Sequence, residues 1–169
     1  MKRKILLAEV SDQLSMLRKI SKPIKEFGAS TSALATDMFD SMHAAKGVGL
    51  SAVQIGVPER MIVAEYTEAK SAVPKMVLVN PEITWSSKRQ VLDEEGCLSF
   101  PNIYGMVRRP EKITYKALDP KGQIIEGKAS GLLARIIQHE IDHLNGVLFI
   151  DLVEGDLYTY ETQNDTKEI

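Results

Sequence analysis

Two helical segments, each followed by a glycine, bracket a long stretch that reads almost wholly as short strands, and that order leaves few folds open. The first segment carries Leu34, Met38 and Met42 at intervals of four, widened by Ala35 and Phe39 into an apolar, core-facing stripe. Ser30-Thr31-Ser32 can cap its start and Gly47 can end it. The second segment covers residues 131–145, with Ser130 as candidate N-cap and Gly146 as stop. Between them, residues 61–65, 76–79, 83–85 and 89–93 read as strands, the second closed by Asn80-Pro81. Residues 112–118 and 123–128 flank Asp119-Pro120-Lys121-Gly122, a good hairpin turn. Two weaker signals remain: a helical turn at 17–20 before Pro23, and a last strand at 147–150. The pattern predicts an α+β fold, one compact domain of antiparallel strands packed around a central helix.

At 169 residues, without repeat, low-complexity block or linker, the chain reads as one domain over 1–153. Residues 154–169 are polar and acidic, and are expected to be partly disordered. Hydrophobic residues at 44% and charged residues at 26% place the chain among ordinary soluble globular proteins. A net charge of -2 gives no electrostatic reason to expect DNA or an anionic membrane, so a small molecule or a peptide is the default partner. The basic start Lys2-Arg3-Lys4 is followed by only four apolar residues before Glu9, too few for a secretory signal. No stretch is long enough to span a bilayer. The expected location is cytoplasmic, or an organellar matrix if a transit peptide was removed.

The chemistry concentrates in His139-Glu140-Ile141-Asp142-His143, an HExxH pattern on the second helix that holds two of the three histidines. Histidines at i and i+4 project from one helix face, so their rings can converge on one cation, with Glu140 placed to reach a water on it. That is the equipment of metal-assisted hydrolysis. Taken alone, the pair fits a metal site or ordinary surface and core positions equally well. A catalytic site also needs a third protein ligand and an open position. Downstream stand Asp151, Glu154 and Asp156; upstream stands Cys97, the single thiol, within Glu94-Glu95-Gly96-Cys97-Leu98-Ser99. A lone cysteine is usually inert and buried, but glycine, serine and two acids are poor company for core filling.

A third segment, Gly47-Val48-Gly49-Leu50-Ser51-Ala52-Val53-Gln54, lacks the Lys-Ser/Thr ending of a phosphate-binding loop. Its small residues let backbone approach a ligand closely, and the Gln54 amide could donate to a developing oxyanion. By itself the segment reads equally as a helix-ending loop.

Together the three segments resemble the three signature motifs of the peptide deformylases. Residues 47–54 are similar to the first, Glu95-Gly96-Cys97-Leu98-Ser99 to the second, and Gln138-His139-Glu140-Ile141-Asp142-His143 to the third, in the same order and spacing. The resemblance implies removal of the formyl group from formyl-methionyl peptides of new proteins, with release of formate. It implies Cys97, His139 and His143 as metal ligands, with water as the fourth. Glu140 then corresponds to the acid/base, and Gln54 with the backbone N–H of Leu98 to the oxyanion donors. Gly49 and Gly96 line the substrate, and Leu132 and Ile136 wall the methionine pocket, although both also suit plain core packing. The implied ion is Fe²⁺, with Zn²⁺, Ni²⁺ or Co²⁺ as substitutes.

Two positions depart from the family pattern. Ser51 stands where alanine is usual, and Tyr104 where many bacterial members carry an arginine that contacts substrate. Arg108 or Arg109 is the expected replacement. The polar tail, with Tyr158 and Tyr160, replaces the long C-terminal helix of many members, which leaves ribosome association in doubt.

Overall fold

The computed structural model describes residues 1–67 and 72–160. Alternation along the strand Met61–Tyr66 sets its layers. Met61 and Val63 join one core with Leu34, Met38, Phe39 and Met42, while Ile62 joins another with Ala134, Ile137, Ile141 and Leu144. Successive side chains of a strand point to opposite faces, so this strand needs a helix on each side. In chain order the elements are α1 (Ser11–Leu17), α2 (Ala29–Ala44), β1 (Gly49–Ser51), a 3-10 turn (Ala52–Ile55), β2 (Met61–Tyr66) and β3 (Val73–Ser86). There follow β4 (Gln90–Cys97), β5 (Phe100–Pro110), β6 (Lys112–Leu118), β7 (Ile124–Ser130), α3 (Gly131–Leu144) and a second 3-10 turn (Phe149–Asp151).

Among the described residues the named strands all pair antiparallel, in a five-stranded sheet of order β1-β2-β3-β6-β7 and a separate β4-β5 hairpin. α2 covers one face of the larger sheet and α3 the other. The hairpin packs through Phe100 and Val107 on Leu17, Leu148 and Phe149. Helix α3 therefore sits between the two sheets, with Ile137 and Leu144 fully buried. Truncating Ile137 to alanine would cost about 2–5 kcal/mol. The expected α+β architecture around a central helix is the observed one.

Local details differ from expectation in instructive ways. Helix α2 starts one turn earlier than its serine cluster suggests, at Gly28 (φ 127), and Thr31 instead bonds back to the carbonyl of Glu26. Its end is a left-handed Lys46 (φ 56), with Gly47 N–H donating to Met42 O at 2.9 Å. Helix α3 ends as anticipated: Gly146 takes φ 75, and Val147 N–H reaches Asp142 O at 2.9 Å. A Cβ at Gly146 would also collide with the Arg18 carbonyl oxygen, so the site demands glycine twice over.

Asn80-Pro81 does not stop a strand. Asn80 takes φ 51 and the register shifts between Val79 and Glu82, so β3 runs on through a bulge. The Asn80 side chain secures the bend by exchanging hydrogen bonds of 2.8 Å with the backbone of Ile24. Residues 147–150 form no strand but lead into the second 3-10 turn, and helix α1 lies upstream of its expected turn at 17–20. Strand β5 went unpredicted, its period masked by Pro101, Gly105 and Pro110. Of the tail, Glu154 to Tyr160 lies along β5: Val153 bridges Val107 and Tyr158 bridges Tyr104. Residues 161–169 of the expected disordered tail lie outside the described residues.

Candidate metal centre and active site

Helix α3 delivers His139 and His143 from one face, and the end of β4 delivers Cys97 from the hairpin opposite. One donor atom from each of the three lies within 4.8 Å of the other two. Cys97 Sγ stands 3.2 Å from His143 Nε2. The set is compact enough for one divalent cation, and thiolate with two imidazoles is a strong transition-metal donor set. Two of the downstream acids are engaged elsewhere, and Asp156 is exposed and outside the group of close donors. Asp151 pairs with Arg18 and accepts from Leu148 N–H, and Glu154 pairs with Arg108. His43, the remaining histidine, sits on α2 against Glu65.

A carboxylate the sequence did not single out for a role holds this centre in place. Glu95 is buried, and its Oε2 accepts from His139 Nδ1 at 2.9 Å, which leaves Nε2 of that ring for a cation. Arg109 forks onto the same carboxylate at 2.5 and 2.9 Å, and Arg135 adds a contact of 2.7 Å. Burial would push the Glu95 carboxyl up, but Arg109 and His139 hold it well below the usual range. Arg109 also reaches Asp142 at 2.7 Å. It is fully committed, and Arg108 is paired with Glu154, so neither replaces the family arginine at position 104. Only the two acids before Gly96 hinted at this network.

Glu140 is buried, and its Oε2 has no hydrogen-bond partner among the described residues. Desolvation pushes its carboxyl up to about 7, with Glu95 and Asp142 adding to the rise. A carboxyl poised there can both accept and return a proton near neutrality. Gly49 leaves it room, since a Cβ at that position would come within 2.7 Å of Glu140 Oε1 and 2.8 Å of Ile136 Cγ2.

Gln54 is equally enclosed, and Ser51 explains its orientation. The Ser51 backbone N–H and hydroxyl both donate to Gln54 Oε1 at 2.9 Å. The amide NH₂ is thereby turned toward Ser99 Oγ at 3.2 Å and Cys97 Sγ at 3.5 Å. The Ser51-x-x-Gln54 spacing of a capping box was the available signal.

A cavity of about 600 Å³ joins these groups, lined by Gln54, Cys97, Leu98, His139 and Glu140. Its walls also include Gly49, Gly96, Tyr104, Leu132 and Ile136. Ile136 both lines the cavity and packs on Ala64 and Val73. Leu132 sits at a more exposed position, 36% accessible. His143, with Nε2 3.2 Å from Cys97 Sγ, does not line the cavity.

The family profile described as Polypeptide deformylase matches residues 5–156. A peptide deformylase of Rhizobium meliloti (strain 1021) is 45% identical over 138 residues, 82% of this chain and 79% of the relative. The crystal structure of a peptide deformylase from Legionella pneumophila superposes with a TM-score of 0.82 at 47% identity, covering 91% of this chain and 87% of that one. A Met-Ala-Ser-bound class I type b peptide deformylase from Acinetobacter baumannii gives a TM-score of 0.84 at 32% identity, covering 90% and 99%. Fold and donor set together define a metal-dependent hydrolase acting on a linear amide. The chain belongs to the polypeptide deformylase family, the enzymes that remove N-terminal formyl groups from nascent peptides.

Proposed function

We propose that Cys97, His139 and His143 hold one divalent ion, Fe²⁺ by resemblance to the family, and that Glu140, Gln54 and the Leu98 N–H carry out deformylation beside it. The observation that carries this is the closeness of the three donors, within 4.8 Å, two of them on the helix that also bears Glu140, whose buried Oε2 has no hydrogen-bond partner among the described residues. When bound, the cation supplies a Lewis acid that makes attack on a formyl amide feasible near neutrality.

The protein's own groups do the rest. Glu140 takes a proton from the attacking water as the new C–O bond forms at the formyl carbon. Gln54 Nε2–H and Leu98 N–H donate to the carbonyl oxygen as it gains charge, and one such donor is typically worth about 3 kcal/mol. Glu140 then gives its proton to the leaving nitrogen, the C–N bond breaks, and formate and a free amino terminus result. Gly49 and Gly96 bring backbone close to the peptide, and Leu132 and Ile136 take the methionine side chain. The formyl carbon bears only hydrogen, so the narrow space beside Glu140 accepts it and excludes longer acyl groups.

The test is formate release from a formyl-Met peptide, measured anaerobically with Fe²⁺ or Ni²⁺, for wild type and Glu140→Ala. Mutant activity near wild type would reject the role given to Glu140. The Fe²⁺ assignment is tested by half-life in air: a thiolate on ferrous iron is open to oxidation, so the iron form should lose activity faster than the nickel form. No helix among the described residues is long and apolar enough to cross a membrane. A nascent peptide as substrate places the work in the cytoplasm or an organellar matrix. Contact with the ribosome would be transient and is tested by co-sedimentation.

A further inference from the structure

The tail that leaves the second 3-10 turn returns to the active-site wall. Its backbone pairs with β5: Tyr104 and Tyr158 exchange N–H···O bonds of 2.9 and 3.0 Å, and Glu154 N–H reaches Met106 O at 2.8 Å. Gly105 makes the close approach possible, since a Cβ there would lie 2.5 Å from Val153 and 3.2 Å from Leu157. Beyond this strand-like contact, Tyr158 and Tyr160 both donate their hydroxyls to Glu94 Oε2, the first at 2.7 Å. Their rings cluster with that of Tyr104, centroids at 6.4 and 5.0 Å from it and 6.0 Å from each other. The Tyr104 ring in turn lies on the Gly96 backbone, where a Cβ would come within 2.8 Å of it. Glu94, Gly96 and Tyr104 all line the cavity that reaches Cys97 and Glu140.

We propose that residues 153–160 brace the substrate site from behind: Tyr158 and Tyr160 clamp Glu94 and prop Tyr104, whose ring grips the peptide beyond its formyl-methionine. This rests on the deformylase reading of the cavity and assigns to the tail of this chain the bracing of the wall that meets the peptide beyond its first residue. Three observations converge. The hydroxyls are aimed at the residue immediately before Glu95, the group that positions His139. Glu94 pushes the Tyr158 phenol up to about 12, so it remains a donor across the working pH range. The Tyr104 and Tyr158 rings stack at 28° and Tyr160 meets both edge-on, so Tyr104 is held in an aromatic cluster with little conformational freedom and offers a fixed ring to an extended peptide of varied sequence. Tyr158 and Tyr160 are positioning residues, and Tyr104 is the contact.

The experiment uses the full-length, Ni²⁺-loaded enzyme and two substrates, formyl-Met-Ala-Ser and formyl-methionine amide. In Tyr158→Phe/Tyr160→Phe the rings stay and both hydroxyls go. The ratio of kcat/KM for the tripeptide to that for the amide should fall about five-fold, the effect of losing a modest hydrogen-bonded brace, and the fall should appear in the tripeptide's KM. A merely structural role would lower both substrates together, and a ratio within twofold of wild type overturns the proposal. A second measurement needs no variant. Saturating Met-Ala-Ser should slow hydrogen exchange at the Tyr104 and Tyr158 amides of the wild type, and unchanged exchange there overturns the proposal. If the wild type released formate from neither substrate, the deformylase reading itself would fail, a result distinct from an active enzyme with an unaltered ratio.

Discussion

Glu95 Oε2 lies 2.9 Å from His139 Nδ1, so a carboxylate two residues before Cys97 orients a proposed metal ligand on a different element. This contact couples hairpin to helix at the candidate metal centre. Glu95→Gln keeps the shape but can offer only one acceptor oxygen to His139, Arg109 and Arg135. Metal affinity should fall about 10–100-fold, the usual effect of losing a group that orients a ligand. Chelator competition with Ni²⁺ measures it, and an unaltered affinity would show that His139 is held by its helix alone.

The same carboxylate makes the protein acid-sensitive. Burial favours its neutral form, yet Arg109 and His139 hold it charged far below the ordinary value of 4.5. Below 4.5 the unfolded chain therefore binds a proton that the native state does not yet bind. The stabilisation is full above that pH and is lost progressively as pH falls toward the folded value. In urea titrations the stability gap between wild type and Glu95→Gln should be constant near neutrality and shrink below about pH 4.5. A gap unchanged down to pH 3 contradicts this.

Metal content separates the two ligand sets that the sequence allowed. Cys97→Ala should abolish stoichiometric metal binding, because two imidazoles remain from a three-donor set. Asp151→Asn should bind metal normally, since Asp151 is tied to Arg18 and Leu148 N–H. Elemental analysis of both variants gives the answer. Metal retained in Cys97→Ala and lost in Asp151→Asn would point to a metallopeptidase-like set instead.

Much of this was legible because local rules and the fold agreed. The apolar spacing of Leu34, Met38 and Met42, the hairpin turn at Asp119 to Gly122 and the stop at Gly146 are short-range signals, and each lies where expected. Resemblance supplied the ligand set, because Cys97 lies far from the histidines in sequence and no local rule joins them. The unread parts depend on long-range contacts. Lys46 rather than Gly47 adopts the left-handed turn, a choice fixed by how α2 meets β1. Arg109 looked free to meet substrate, but its burial against Glu95 and Asp142 exists only once β5 crosses α3. Ser51 is the exception: its hydroxyl reaches Gln54 only three residues on, and the capping-box spacing was a local signal left unread.

Gly49 tests how tightly the acid/base group is packed. In Gly49→Ala the new methyl would crowd Glu140 Oε1 and Ile136 Cγ2, at 2.7 and 2.8 Å from the point where its carbon would sit. Glu140 can swing aside more readily than the buried β1 backbone, so the substitution should displace the carboxylate. A misplacement of about 1 Å can cost on the order of 100-fold in rate, so kcat should drop by about 10–100-fold with metal content unchanged. Wild-type kcat in this variant would mean that Glu140 need not stand where it does.

Glu140 itself should weaken the metal-free protein at alkaline pH. Burial is the main reason its carboxyl rises from 4.5 to about 7, so the folded chain holds a proton that the unfolded chain has already released. Below pH 4.5 both states are protonated and nothing is lost. Between 4.5 and 7 the native state is progressively disfavoured, by about 3 kcal/mol once pH exceeds the folded value. Glu140→Gln has no such proton, so in chelator its stability relative to wild type should rise from pH 4 to pH 8 by about that amount. Urea midpoints at the two pH values measure the change. Equal differences at both would mean that the carboxylate is solvated and not enclosed against Gly49.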